Sequence, residues 1–246
     1  MIKAADISGL RPVKPVKTQP ISDAPDFSPS AVQRVIDVVL GRIRSGEYVP
    51  GQIIVARDLM GELSLSKAPV REGIHVLVGE GVIELLPNRS ARIRRLSLKD
   101  LLDFVEVWGA VGGVNLRLGS QYIGDPDSRR RIAEALKAIQ RTERNRIPYD
   151  FFMAIAHLHS TLADISGNGY IQAIITRAHF DHFHRHIERM FPGAYWNEHI
   201  IAFKRAGEAL LAGDGDKAET IYRNHMRWVR DILVESLYNK QRQPNA

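Results

Sequence analysis

Residues 66–81 read SKAPVREGIHVLVGEG, the pattern of a short helix with a polar N-terminal end. Ser66 is a residue type that accepts a hydrogen bond at a helix N-cap, and Pro69 is tolerated in a first turn, where backbone N–H groups lack helical partners. Lys67 and Arg71 are four residues apart and so share a flank near the positive end of the helix dipole, which suits phosphate. The apolar residues recur at helical spacing and predict a buried face: Val70, Ile74, Leu77 and Val78.

Two further helices are predicted before this stretch. The first carries apolar residues at helical spacing from Val32 to Ile43, and it ends near Gly46. Ser28 is its predicted N-cap and Pro29 its first residue, since proline suits that position. After the Pro50-Gly51 turn, a short second helix is predicted over residues 56–63.

A basic hairpin is predicted after the third helix. The strand-like runs VIELL (82–86) and ARIRRL (91–96) flank the turn PNRS (87–90), and alternation places Ile93 on one face with Arg92 and Arg94 on the other. Three short helices and a two-stranded wing describe a winged helix-turn-helix, in which one helix enters the major groove of DNA. The alternative, a helical hairpin with solvated charges, stays open, because a cluster such as Arg89, Arg92, Arg94 and Arg95 is often only a solvated face.

Composition limits the class of protein. The chain has 246 residues, a formal net charge of +6 and no cysteine. The basic excess permits an anionic partner without identifying one. The lack of cysteine excludes disulfides and thiolate metal sites, which fits a reducing cytoplasm. The sequence contains no apolar run of the length that a membrane span or an export signal needs. A cytoplasmic protein without a membrane partner is therefore expected.

The second half of the chain predicts an all-α bundle. Six helices are expected, over residues 97–111, 128–146, 149–165, 170–191, 197–213 and 216–238. The fold class is therefore mainly α. The chain divides into an extended arm (1–29), a winged helix-turn-helix domain (30–96), a helical bundle (97–240) and a tail (241–246). Gly109, Gly112 and Gly113 weaken the first bundle helix unless close packing or a kink compensates, and close packing is the expectation.

Histidines mark a candidate site in this bundle. Helical spacing turns His159 and His225 inward and His157 outward, while His199 leads an apolar stripe on a third helix. Three inward imidazoles could converge on a divalent metal such as zinc, but an inward histidine is also commonly a hydrogen-bonded core residue. The stretch HFDHFHRH places His179, His182 and His186 loosely on one side, as expected of a solvated face or a dimer surface.

Residues 31–95 resemble the DNA-binding domain of GntR-family bacterial regulators. The resemblance is carried by Ile43, Gly46, Pro50-Gly51, SKAPVREGI (66–74), Leu77 and Glu80-Gly81. It implies a double-stranded DNA operator as partner, contacted by Arg57, Ser66, Lys67, Ala68, Pro69, Arg71, Asn88, Arg89 and Ser90. Lys67 stands where the family usually has arginine, and Ser90 where it usually has glycine. Because lysine lacks the planar fork of arginine, the resemblance does not fix the base preference at the partner of Lys67.

The second half resembles the FCD effector-binding domain of FadR-type regulators. LHSTLADISGN (158–168) and GDGDKAETIYRNH (213–225) carry the resemblance. It implies dimerisation and a small-molecule effector, an organic acid beside a divalent metal in many such domains. His159 and His225 match the metal ligands, whereas Ile155 and Phe203 replace an aspartate and a histidine, with His199 one turn before Phe203. Trp108 and Gly112 replace a usual arginine and glutamate. The candidate effector-binding residues are Trp108, His159, His182, His199, Phe203 and His225; those for a metal are His159, His199 and His225.

Together these observations predict a ligand-responsive bacterial transcriptional regulator that binds a pseudo-palindromic operator as a homodimer. The effector is predicted to be an organic acid, with a hydrophobic or aromatic molecule as the open alternative. A metal-dependent helical-bundle enzyme is a second hypothesis, but the sequence holds no HExxH motif, phosphate loop, thiol nucleophile or carboxylate pair tied to the histidines. A DNA-binding protein without an effector is the third.

Overall fold

The computed structural model describes residues 29–88, 90–179, 182–183 and 195–242, with side chains up to residue 235. The predictions for the arm up to residue 28, for Arg89, for His186 and for the end of the tail lie outside the described residues. The helices are α1 (Ala31–Ser45), α2 (Ala56–Leu63), α3 (Lys67–Gly79), α4 (Leu98–Ser120), α5 (Pro126–Asn145), α6 (Pro148–Ser166), α7 (Gly169–Arg177), α8 (Trp196–Leu211) and α9 (Gly215–Arg242), and the strands are β1 (Ile53–Ile54), β2 (Ile83–Leu85) and β3 (Ala91–Ile93). The predicted mainly α fold is confirmed.

The first three helices and a small sheet form a winged helix-turn-helix around their own core. The sheet is antiparallel in the order β1-β3-β2, with Ile83 opposite Ile93 and Ile53 opposite Arg92. Ile93 is fully buried while Arg92 is partly exposed, as the alternation predicts. Strand β1 was not predicted, because two residues are too short to show a period. The core includes Val35, Val39, Leu59, Val70, Leu77 and Ile93.

Two predictions about helix N-termini were wrong in detail. Helix α1 starts at Ala31 and is capped by Ser30, whose hydroxyl accepts the N–H of Gln33 at 3.1 Å. Because Ser30 is the N-cap, Pro29 lies before the helix instead of being its first residue. Ser66 is the N-cap residue of α3, but its side chain accepts no capping hydrogen bond. Helix α2 has the predicted bounds.

The bundle is built on the close approach of α4 and α9. Helix α4 begins with a capping box, in which Ser97 and Asp100 satisfy each other's backbone N–H, and it continues to Ser120, beyond the predicted end. The expectation of close packing at the helix glycines is confirmed. A Cβ added at Gly112 would lie 2.6 Å from the ring of Tyr222, and one at Gly109 would lie 3.0 Å from Met226.

The predicted helix over residues 170–191 is interrupted. Helix α7 ends at Arg177, and His179 has a φ of 43°, which no residue of an α-helix adopts. Residues 182–183 are again helical. The remaining bundle helices pack around one large apolar core that includes Leu116, Ile132, Leu158, Leu162 and Leu210. Within the described part of the chain, no helix is both long and apolar enough to cross a bilayer.

Candidate functional site

The N-terminal end of α3 presents a polar, cationic surface to solvent. Ser66, Lys67 and Ala68 are exposed and Pro69 is half-buried. Arg71, one turn further along, is exposed on the same face. The opposite face packs against α1, because Val70, Ile74 and Leu77 are buried there. Burial of one face therefore orients the two cations outward. Arg57 is exposed in the first turn of the neighbouring helix α2.

A groove of about 650 Å³ lies between α3 and the wing. Lys67, Arg71 and His75 line its α3 side, and Ser90 is on its wing side. His75 is exposed and was not among the predicted contacts, although its four-residue spacing from Arg71 would have identified it. At the wing tip, the side chain of the exposed Asn88 accepts the N–H of Ser90 at 3.1 Å and so orders the turn.

The wing carries less unpaired charge than its sequence suggests. Arg92 donates to Glu84 at 2.9 Å across the two wing strands, and Arg94 forms an ion pair with Asp100 at the start of α4. Both arginines are therefore partly neutralised by carboxylates. The cations that line the groove come from α3, which makes that helix the main surface for an anionic partner.

A cavity of about 50 Å³ lies inside the bundle, between α4, α6, α8 and α9. Of the predicted effector-binding residues, it is lined by Trp108, His199, Phe203 and His225, together with aromatic side chains that were not predicted: Phe104, Phe151, Phe152, Phe183 and Tyr222. His182 is buried beside Phe183, whose ring contacts Phe104 with centroids 3.6 Å apart. His159, which was also predicted, does not line the cavity but contacts the lining residue Tyr222.

The inward histidines form two separate hydrogen-bonded pairs. His159 Nε2 lies 3.0 Å from the hydroxyl of Tyr222, while His199 Nδ1 lies 3.1 Å from His225 Nε2. Burial lowers the pKa of His159 to about 3 and that of His199 to about 4. Burial, with repulsion from His199, lowers the pKa of His225 to about 3, and burial raises the pKa of Tyr222. All three imidazoles are therefore neutral at pH 7.

These positions do not fit a metal site. Within the described residues, no three His, Cys, Asp or Glu side chains are arranged to hold a metal ion, whereas zinc takes at least three protein ligands. His159 is directed to Tyr222 instead of to the other two histidines, and Ile155, which lines the cavity, supplies no carboxylate. A divalent metal therefore remains a prediction from the family resemblance alone.

The two domains contact each other through a histidine of the HFDHFHRH stretch. His179 Nε2 lies 2.7 Å from Oε2 of Glu80, the residue that follows helix α3. The His179 side chain is only 10% exposed, and His182 is 1% exposed. The expectation of a solvated face or dimer surface was therefore wrong for both residues, because intramolecular contacts cover them.

Comparison with known proteins agrees with this architecture. The family model described as "Bacterial regulatory proteins, gntR family" matches residues 31–93, and the FCD domain model matches residues 115–227. A Streptomyces ambofaciens protein described as an uncharacterized HTH-type transcriptional regulator in an unstable DNA locus is 24% identical over 76% of this chain and 78% of its own.

Two solved structures share the fold. E. coli McbR/YncC matches with a TM-score of 0.69 and 16% identity over 85% of this chain and 99% of its own. A GntR regulator from Rhodococcus sp. RHA1, described as a putative transcriptional regulator, gives a TM-score of 0.68 and 20% identity over 84% of this chain and 98% of its own. The matched families are transcriptional regulators, so the enzyme hypothesis is set aside. This chain belongs to the GntR family of bacterial regulatory proteins and carries an FCD domain.

Proposed function

We propose that this regulator binds a pseudo-palindromic operator as a homodimer and that a small molecule in the bundle cavity controls its binding. The proposal of DNA binding rests on one observation: Lys67, Arg71 and His75 lie in a row along α3 and face the groove beside the wing. In a winged helix-turn-helix, such a helix enters the major groove, where lysine and arginine reach guanine edges and phosphates.

Dimerisation follows from the small size of one such surface. A single recognition helix offers few base contacts, whereas two linked heads raise the effective concentration and match two half-sites. Half-sites about 34 Å apart, one helical turn of DNA, fit this geometry. The arrangement predicts two chains per operator, which analytical ultracentrifugation of the DNA complex measures.

The route from the cavity to the DNA-binding domain is proposed to run through Phe183 and His179. Phe183 lines the cavity, and its backbone N–H donates to the carbonyl of His179 at 3.3 Å. His179 in turn contacts Glu80 at the end of the recognition helix. A ligand that displaces Phe183 would therefore act on His179, which contacts Glu80 next to α3, and so bias the position of the DNA-binding domain.

The DNA-binding proposal is tested with the substitution Arg71→Ala. Fluorescence anisotropy at fixed salt, with DNA from upstream of the protein's own gene, is expected to show a loss of specific affinity of about tenfold to a hundredfold. Arg141→Ala is the matched control, because it removes the same charge from an exposed position on α5. Equal affinity in the two variants would contradict the proposal.

A further inference from the structure

We infer that the bundle cavity takes an uncharged, planar aromatic ligand that has one hydrogen-bonding group and that binds by displacing the ring of Phe183. This inference rests on the proposed function and names the chemical class of its effector. The cavity wall supplies aromatic faces and edges from four helices, through Trp108 of α4, Phe151 of α6, Phe203 of α8 and Tyr222 of α9 among others. Such walls favour planar ligands, because rings pack in stacked and edge-to-face arrangements.

The described part of the wall offers no charge to balance an anion. Among the described residues that line the cavity there is no lysine, arginine, aspartate or glutamate. Its polar side chains are Trp108, Tyr222, whose hydroxyl already contacts His159, and the pair His199 and His225. Burial keeps both imidazoles of this pair neutral. Because a buried carboxylate without a countercharge is strongly disfavoured, an organic acid is a poor fit to this wall.

The histidine pair supplies the hydrogen-bonding function. In a neutral imidazole, one ring nitrogen is a donor and the other is an acceptor. The contact of 3.1 Å between His199 and His225 therefore joins the donor of one ring to the acceptor of the other, and it fixes both tautomers together. A neutral amide or hydroxyl on the ligand can be a donor or an acceptor, so it suits this wall in either tautomeric arrangement.

Phe183 shows where the ligand ring lies. Its ring stacks on Phe104 with an interplanar angle of 18° and with centroids 3.6 Å apart, so Phe104 already holds one planar ring against the cavity wall. The volume that remains is about 50 Å³, whereas an engineered cavity that binds benzene measures about 150 Å³. A ring-sized ligand therefore needs the space that Phe183 occupies. Removing that ring should strengthen binding, which a merely structural role would not do.

The test uses benzamide and benzoate, which have the same shape and differ in charge. Tryptophan fluorescence and calorimetry at pH 7.5 are expected to show that benzamide binds at least tenfold more tightly than benzoate, with no change on addition of EDTA. Phe183→Ala is expected to bind benzamide several-fold more tightly than the unsubstituted protein does. Tighter binding of benzoate, loss of binding in EDTA, or binding of neither probe to either protein would overturn the inference.

Operator binding is measured on the same preparations without ligand. Retained DNA binding together with a failed benzamide result refutes only the ligand class. If the unsubstituted protein shows no specific DNA binding, the proposed function is refuted. The benzamide and benzoate affinities then still test the ligand class of the cavity.

Discussion

Substitution of Gly112 by alanine should destabilise the bundle, although alanine is the better helix former. Alanine in a helix interior is favoured over glycine by about 0.5–1 kcal/mol. The added methyl group, however, would lie 2.6 Å from Cε1 of Tyr222 and 2.9 Å from its hydroxyl oxygen. The ring cannot simply withdraw, because that hydroxyl lies 3.0 Å from His159 Nε2 in a fully buried contact.

The size of the effect follows from these contacts. Forcing a methyl group into a packed helix contact costs about 1–3 kcal/mol. If the ring moves away instead, the buried polar group that loses its partner costs a similar amount in place of that strain. After subtraction of the helix propensity gain, we expect the free energy of unfolding to fall by about 1–2 kcal/mol. With an ordinary denaturant dependence, the urea midpoint should fall by about 0.5–1 M.

Tryptophan fluorescence is the appropriate assay. All three tryptophans of the chain, at positions 108, 196 and 228, lie in the bundle, so their emission reports unfolding of that domain alone. Gly169→Ala is the matched control, because Gly169 is exposed at the start of α7 and an added Cβ meets nothing within 4 Å. The control should leave the midpoint unchanged or slightly raised. A midpoint for Gly112→Ala at or above that of the unsubstituted protein would refute the packing argument.

Three further predictions concern the pH dependence of stability, the capping of helix α4 and the charge of the wing. The buried histidines stay neutral in the fold but bind protons below about pH 6.5 when unfolded, so stability should fall between pH 7 and pH 5 by about 2 kcal/mol for each histidine. A pH difference in the urea midpoint that His225→Asn does not reduce would contradict this. Ser97→Ala removes the capping box with Asp100 and should cost about 1 kcal/mol by the same fluorescence assay; an unchanged midpoint would argue against that role. Glu84→Gln releases Arg92 and should steepen the logarithmic salt dependence of DNA binding by about 1, whereas an equal slope would count against a wing contact.

Most elements of the DNA-binding domain could be predicted from the sequence, because the patterns that indicate them involve residues close together in the chain. The Pro50-Gly51 turn preceded the predicted α2, helical periodicity identified the buried face of α3, and strand alternation identified the wing. The errors arose where local signals compete. Ser28 and Ser30 both flank Pro29, and only the backbone geometry at Ser30 places a hydroxyl on the N–H of Gln33.

The sequence also determined which bundle histidines face inward. His159 and His225 are buried and His157 is exposed, as helical spacing predicts. Periodicity assigns a face to a residue, but it carries no information about which residue of another helix lies opposite. The predicted convergence of three histidines therefore had no physical support in the sequence.

The sequence by itself determined the family, the recognition helix and the inward faces of the bundle helices, because these depend on residues close together in the chain. Only the tertiary structure decided that His159 pairs with Tyr222 and His199 with His225, and that His179 reaches Glu80 across 99 positions of the chain. Such contacts are set by how distant elements pack, since burial and close approach select partners that no local pattern records.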